Sequence, residues 1–155
     1  ADVYVNVQGD EPMMEPLAIE KAVELVTSKR FTMATVMTPM IDPDDLTNLA
    51  VVKTFADKTG RAIYFSRHPI PYSRKSGPDY DDPFACHRHV GLYVYTRETL
   101  FRIRSLKPSP LELGESLEQL RALEDGIAIG ITEVNFTSIG VDTPEELEKV
   151  RRVLV

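Results

Sequence analysis

Two aspartates at opposite ends of the chain carry the first suggestion of chemistry. Asp10 lies in Gln8-Gly9-Asp10-Glu11-Pro12 and Asp142 in Gly140-Val141-Asp142-Thr143-Pro144, and each sits where a strand or loop turns into the next element. Ligands of open α/β sheets gather beyond the carboxyl ends of strands, so both carboxylates could reach one cleft. Magnesium takes one or two protein carboxylates and completes its shell with water and substrate phosphates, which makes this pair a sufficient protein share. Plainer roles fit the same residues. Asp-Glu-Pro is a good loop sequence, and an aspartate just before a helix complements the helix dipole.

Other groups also carry two readings. Gly9 either takes a positive φ in a turn or lets a ligand approach the backbone beside Gln8. Arg67 and His89 border a long irregular segment, where they either hold a carboxylate, bidentately for the arginine, or remain surface groups. His87 and His89 share a strand face, but no third soft ligand has the spacing of a metal site. Glu118 and Gln119 interrupt an apolar run, either as the exposed side of an amphipathic helix or as ligand contacts. No Ser, Cys and His are spaced as an activated nucleophile. The eight glycines form neither G-x-G-x-x-G nor G-x-x-x-x-G-K-[ST], so no row of backbone N–H groups cradles a triphosphate.

Positioning these groups requires a layered frame. Val3, Val5 and Val7 alternate with Tyr4 and Asn6 as in a strand, and Ile19, Ala22, Val23 and Val26 have helical spacing that leaves Glu20, Lys21 and Glu24 towards water. Met33 to Met37 predicts a second strand and Asp42 to Asn48 a loop. Val51 to Ala56 and Arg61 to Phe65 flank Asp57-Lys58-Thr59-Gly60, which predicts an antiparallel hairpin. His68 to His87 is too proline-rich for a helix. His89 to Tyr95 resumes strand character, and Arg97 to Ser105 suits a short helix. Ser109-Pro110-Leu111-Glu112 is a capping box that opens a helix running towards Glu124, with Leu113, Leu117, Leu120 and Leu123 as its apolar face. Ile127 to Val134 is another strand, and Thr143-Pro144-Glu145-Glu146 opens a terminal helix. The alternation predicts an α/β fold: a mixed, mostly parallel sheet with flanking helices and one antiparallel hairpin, in a single domain over residues 1–155.

Composition narrows the partners. The 155 residues, 43% hydrophobic and 27% charged, suffice for one domain with a sizeable core. A net charge of -6 without a dense Lys/Arg block argues against nucleic acid or an anionic membrane. Cys86 is the only cysteine, which excludes an intrachain disulfide and fits a reducing compartment. No apolar run reaches membrane-spanning length and no signal-peptide pattern opens the chain, so the expectation is a cytoplasmic protein.

Taken together, VNVQGDEP (Val5 to Pro12), MAT (Met33 to Thr35), NLAVVK (Asn48 to Lys53), AIYFSRHPIPY (Ala62 to Tyr72), RHVGLYVY (Arg88 to Tyr95), PSPLELGESLEQLRALEDG (Pro108 to Gly126) and GVDTPEELEKVR (Gly140 to Arg151) resemble the 3-deoxy-D-manno-octulosonate cytidylyltransferases, the CMP-Kdo synthetases. The resemblance implies a nucleotide-diphospho-sugar transferase-like, Rossmann-like fold. It also implies a reaction in which the anomeric hydroxyl of Kdo attacks the α-phosphate of CTP to give CMP-Kdo and pyrophosphate, for lipopolysaccharide synthesis. By the same resemblance Asp10 and Asp142 are catalytic and coordinate Mg2+, and Arg67 and His89 engage the acidic sugar. Tyr93, Glu118 and Gln119 line the sugar pocket with Gln8 beside them. Elements at about 51–126 carry sugar binding and a homodimer interface. The match covers roughly the carboxyl-terminal three-fifths of a family enzyme, without the amino-terminal nucleotide loop. Two alternatives stay open: a non-catalytic sugar-binding and dimerising fragment, or a synthetase for another acid sugar such as sialic acid.

Overall fold

The computed structural model describes residues 1–72, 74, 86–136, 140–141 and 143–154, apart from the side chains of 146 and 154. Asp142 and most of the proline-rich segment after His68 lie outside the described residues.

Strand β1 (Val3–Val7) leads into α1 (Pro16–Thr27), whose first residue is a proline already locked at a helical φ. Ala18, Ala22, Leu25 and Val26 form the buried stripe of α1. Ile19 and Val23 flank it half-buried, so the stripe is turned slightly from the expected one. Strand β2 (Met33–Pro39) follows. The expected loop at Asp42 to Asn48 is instead a short helix, α2 (Pro43–Thr47): the Asp42 side chain accepts from the Asp44 amide at 2.9 Å, and Pro43 opens the first turn. The hairpin is as expected, with β3 (Lys53–Ala56) antiparallel to β4 (Ala62–Ser66) and Gly60 at φ 79 in the turn. Next come β5 (His87–Thr96) and α3 (Arg97–Ser105), the latter capped by Thr96.

The capping box at Ser109 is formed from both sides, but the helix it opens is short. α4 (Pro110–Glu115) closes at Ser116, which is left-handed at φ 54, and the amides of Ser116 and Leu117 both return to the Glu112 carbonyl. The chain re-forms a helix only at α5 (Gln119–Glu124). The single helix expected from Ser109 to Glu124 is therefore two, and the predicted apolar face splits with it. Leu117 and Leu120 are buried, whereas Leu113 is 69% exposed. β6 (Ile129–Glu133) and α6 (Pro144–Leu154) complete the order.

One six-stranded sheet runs β4-β3-β5-β2-β6, with β1 also paired to β5. The mixed α/β class is as expected, but the strands are not mostly parallel. Among the described strands only β2 and β6 pair in parallel, while the β1–β5, β2–β5, β3–β4 and β3–β5 pairs are antiparallel. The reason is topological. β1 and β2 run the same way and are joined through α1, but β5 lies between them in the opposite sense. The long strand β5 has β2 along one edge. Its other edge is shared end to end: β1 takes residues 92–96 and β3 takes 87–88. The two occupants meet where the Gln8 amide donates to the Gly91 carbonyl and the His89 amide donates to the Val52 carbonyl.

The sheet buries two different layers. On one face, the α1 stripe packs on Ala34, Val36, Val90, Leu92 and Val94. On the other, Met33, Met37, Phe65 and Tyr93 meet Leu117, Leu120 and Ala122 from the α4–α5 side.

Candidate active site

A cleft of about 450 Å³ opens on the α4–α5 face, beyond the carboxyl end of β1 where that strand abuts β3. Gln8, Asp10, Arg67, His89, Tyr93, Glu118 and Gln119 all line it. Every sequence-predicted site residue that is described thus falls on one surface. Asp142 lies outside the described residues, yet its neighbour Val141 donates its amide to the Asp10 carbonyl at 2.8 Å.

Arg67 is held by backbone. Its Nε donates to the Glu115 carbonyl at 2.7 Å, Nη1 to Leu49 at 2.9 Å and Nη2 to Ser116 at 3.3 Å. The acceptors Glu115 and Ser116 are carbonyls freed by the end of α4, where a helix presents unpaired acceptors and negative dipole. A guanidinium carries five N–H groups, so one on Nη1 and one on Nη2 remain. Among the described residues no carboxylate pairs with this guanidinium, which leaves a fixed cation facing the cleft.

Lys53 was not anticipated from the sequence. It is wholly buried, and its ammonium donates to the carbonyls of Asn48 at 2.6 Å, Val51 at 2.7 Å and Arg67 at 2.9 Å. Burial lowers its pKa, with nearby Cys86, Asp45 and Glu115 opposing and Arg67 adding to the fall. All three ammonium hydrogens are thereby spent, so Lys53 ties the 48–51 turn to the start of the Arg67 segment and has none left for a ligand. Glu115 adds a second tie, its carboxylate accepting from Ser66 Oγ at 2.8 Å and from the Arg67 amide at 2.9 Å. The one available signal was a lysine following the apolar run Leu49-Ala50-Val51-Val52.

His89 sits on the floor between Phe65 and Tyr93, with ring centroids 5.0 and 5.4 Å away. An edge of the residue stays open to the cleft, but the depth of this packing holds its pKa down at about 3, so it is neutral at physiological pH. The aromatic row continues with Tyr95, stacked 6.0 Å from Tyr93. Burial raises the Tyr93 pKa well above its ordinary value, with Tyr95 and the Glu118 carboxylate adding. Tyr95 is pushed up to about 12, again by burial first and Glu118 second. Both phenols therefore stay protonated and able to donate.

Glu118 stands in the break between α4 and α5 and Gln119 opens α5, so neither lies in a helix middle. Glu118 is exposed at the cleft rim, with its carboxylate close enough to act on both tyrosines, while Gln119 is buried. The interruption that the sequence showed as polar residues in an apolar helix is where the helix ends.

For a cation, Asp10 is the described candidate: it is half-buried at the cleft, and among the described residues no basic side chain pairs with it. No group of three or more His, Cys, Asp and Glu is gathered for a metal among the described residues. A lone carboxylate such as Asp10 suits magnesium, which leaves most of its shell to water and phosphate, better than zinc. No described helix is long and apolar enough to cross a membrane.

This sheet with helices on both faces and a polar cleft at strand ends defines a nucleotidyltransferase-like α/β protein. A CMP:2-keto-3-deoxy-manno-octonic acid synthetase solved in complex with CTP shares the fold with a TM-score of 0.87 at 38% identity, over 99% of this chain and 62% of that one. An inositol-1-phosphate CTP transferase from T. maritima, 15% identical, shares the fold with a TM-score of 0.59 over 99% of this chain and 55% of its own. The cytidylyltransferase family profile matches residues 1–129, and the chain belongs to that family. The 3-deoxy-manno-octulosonate cytidylyltransferase of Geobacter metallireducens is 45% identical over 157 residues, which take in 97% of this chain and 62% of the relative. That of Solibacter usitatus is 47% identical over 154 residues, 99% of this chain and 60% of the relative. The chain spans about three-fifths of the length of the curated relatives it matches.

Proposed function

We propose that the complete product of this gene is a cytoplasmic, magnesium-dependent cytidylyltransferase that activates Kdo, or a close 2-keto sugar acid, for lipopolysaccharide synthesis. In the reaction the anomeric hydroxyl oxygen of the sugar bonds to the α-phosphorus of CTP. The bond from that phosphorus to the bridging oxygen breaks, pyrophosphate leaves, and the hydroxyl proton passes to water. CMP-sugar is the second product.

The observation that carries this reading is Arg67, a backbone-anchored cation with two free N–H groups in the same cleft as Tyr93, Glu118 and Gln119. An acid sugar has one carboxylate and many hydroxyls, and this surface offers one fixed positive fork among hydroxyl-binding groups. Because Lys53 and Glu115 hold Arg67 in place, the ligand does not bear the cost of ordering it. Tyr93 would donate to a hydroxyl, Glu118 would accept, and Gln119 and Gln8 would do either. Asp10 and Asp142 would hold the magnesium ion. When bound, that ion offsets the charge that builds on the phosphate oxygens.

We read residues 1–155 as one domain of this enzyme, with the sugar-binding and dimerising elements at about 51–126. Ile63, Leu111 and Leu113 are exposed apolar side chains in that stretch and suit a homodimer interface.

The test is pyrophosphate release by the complete gene product from CTP plus Kdo at millimolar magnesium. Turnover that requires both substrates and stops with chelator is the expected result. No release with Kdo, or equal release with sialic acid, overturns the assignment of the sugar.

A further inference from the structure

Strand β5 is interrupted over the cleft floor. Thr35 pairs with Tyr93 but the next residue, Val36, pairs with Val90, so Gly91 and Leu92 have no counterpart on β2. Bulges of this kind are common beside active sites, where they re-aim side chains. The rings of His89 and Tyr93, on either side of the two extra residues, stand 5.4 Å apart.

The hydroxyl of Thr35 fills the interruption. The residue is wholly buried, its Oγ1 donates to the Leu92 carbonyl at 2.6 Å, and the same oxygen lies 2.8 Å from His89 Nε2. A hydroxyl has one hydrogen. With that hydrogen on the Leu92 carbonyl, Oγ1 can only accept from the imidazole, so Nε2 carries a proton. Burial lowers the affinity of the ring for a second proton, which leaves Nδ1 with a lone pair.

We propose that Thr35 is a positioning residue of the sugar site: by donating to Leu92 and accepting from His89 it fixes the imidazole as the Nε2–H tautomer, whose Nδ1 receives a hydrogen bond from a hydroxyl of the acid sugar. This deepens the reading of the cleft as an acid-sugar site and rests on it. It also divides the labour between the two residues first associated with the sugar. Arg67 takes the carboxylate, and His89 takes a hydroxyl.

The tautomer is read without substrate, from long-range proton–nitrogen correlation spectra of the complete gene product near neutral pH, with the His89 signals assigned by their loss in His89→Gln. The wild type and Thr35→Ser should show the Nε2–H pattern, and the near-isosteric Thr35→Val should show a mixture of both tautomers. An Nδ1–H pattern in the wild type, or an Nε2–H pattern unchanged in Thr35→Val, overturns the proposal. Kinetics then test the sugar: Thr35→Val should raise KM for Kdo roughly tenfold with KM for CTP unchanged, and Thr35→Ser should restore it. Equal changes in both constants overturn the positioning role. If Thr35→Val does not fold, the wild-type and Thr35→Ser spectra still decide the tautomer. An Nε2–H pattern in a protein without Kdo turnover overturns the acid-sugar reading while leaving the Thr35–His89 arrangement standing.

Discussion

The two faces of the sheet are built from alternate residues of the same strands, yet they do opposite things. On β5, Val90, Leu92 and Val94 point to α1 and close against an unbroken helix of twelve residues. The residues that alternate with them, His89, Gly91 and Tyr93, face a helix that has been cut in two, and the cut leaves room for a ligand. Hydrophobic alternation explains the first face completely. The second keeps polar groups only because each is tied down: Thr35 to a bulge carbonyl, Lys53 to three carbonyls, Arg67 to three more. A packed face stabilises the fold, whereas a face of restrained polar groups is prepared for a ligand.

That division can be broken by substitution. The largest effect expected on the closed face is from Leu92→Ala, which leaves a cavity and should cost about 2–5 kcal/mol in urea unfolding while KM for the sugar stays within about twofold. A large rise in KM would show the faces are coupled. On the open face, Arg67→Met should weaken sugar binding on the order of 100-fold, because the carboxylate would enter the cleft unpaired. Titration calorimetry with the sugar checks this, and unchanged affinity would remove Arg67 from the site.

A smaller effect is expected at Gly91. A Cβ there would stand 2.1 Å from Gln8 Oε1 and 2.8 Å from Cδ, so Gly91 is the seat on which the Gln8 side chain lies. Those atoms belong to the free end of a flexible side chain. Gly91→Ala should therefore leave stability within about 1 kcal/mol and weaken the sugar roughly tenfold by displacing Gln8. In a Gln8→Ala background the second substitution should cost nothing more, and additive losses would disprove the seat.

The smallest effect concerns pH. His89 binds its proton near 6.5 when unfolded and only near 3 when folded. Below about 6.5 the unfolded chain takes up more protons, so this residue lowers stability progressively until pH falls through about 3, and it contributes no such loss above 6.5. His89→Gln should flatten the acid side of the urea midpoint against pH, and identical slopes would show that the ring is not buried as described.

Much of the closed face was legible in advance, since strand alternation and the α1 period are local patterns that recur in the structure. The open face was legible mainly as motifs. Gln8, Asp10, Arg67, His89, Tyr93, Glu118 and Gln119 were gathered into one site by the family resemblance, but no local pattern showed how the fold would bring them to one surface. Lys53 escaped because its partners are backbone carbonyls, and Thr35 because its partners are a carbonyl and a ring more than fifty positions away, which no sequence pattern marks. The helix break at Ser116 escaped for a related reason: Leu113 keeps a helical period that the left-handed residue then abandons.

What the residues determined by themselves is local: which stretches are strands or helices, where Ser109 opens one of them, and which polar groups are available. Only the tertiary structure decided that β5 lies antiparallel between β1 and β2, that its bulge brings His89 to Thr35, and that Arg67 closes the end of α4. Strand order and register are set by contacts between residues dozens of positions apart, and a shift of one residue in β5 would turn His89 and Tyr93 to the α1 face and leave no cleft.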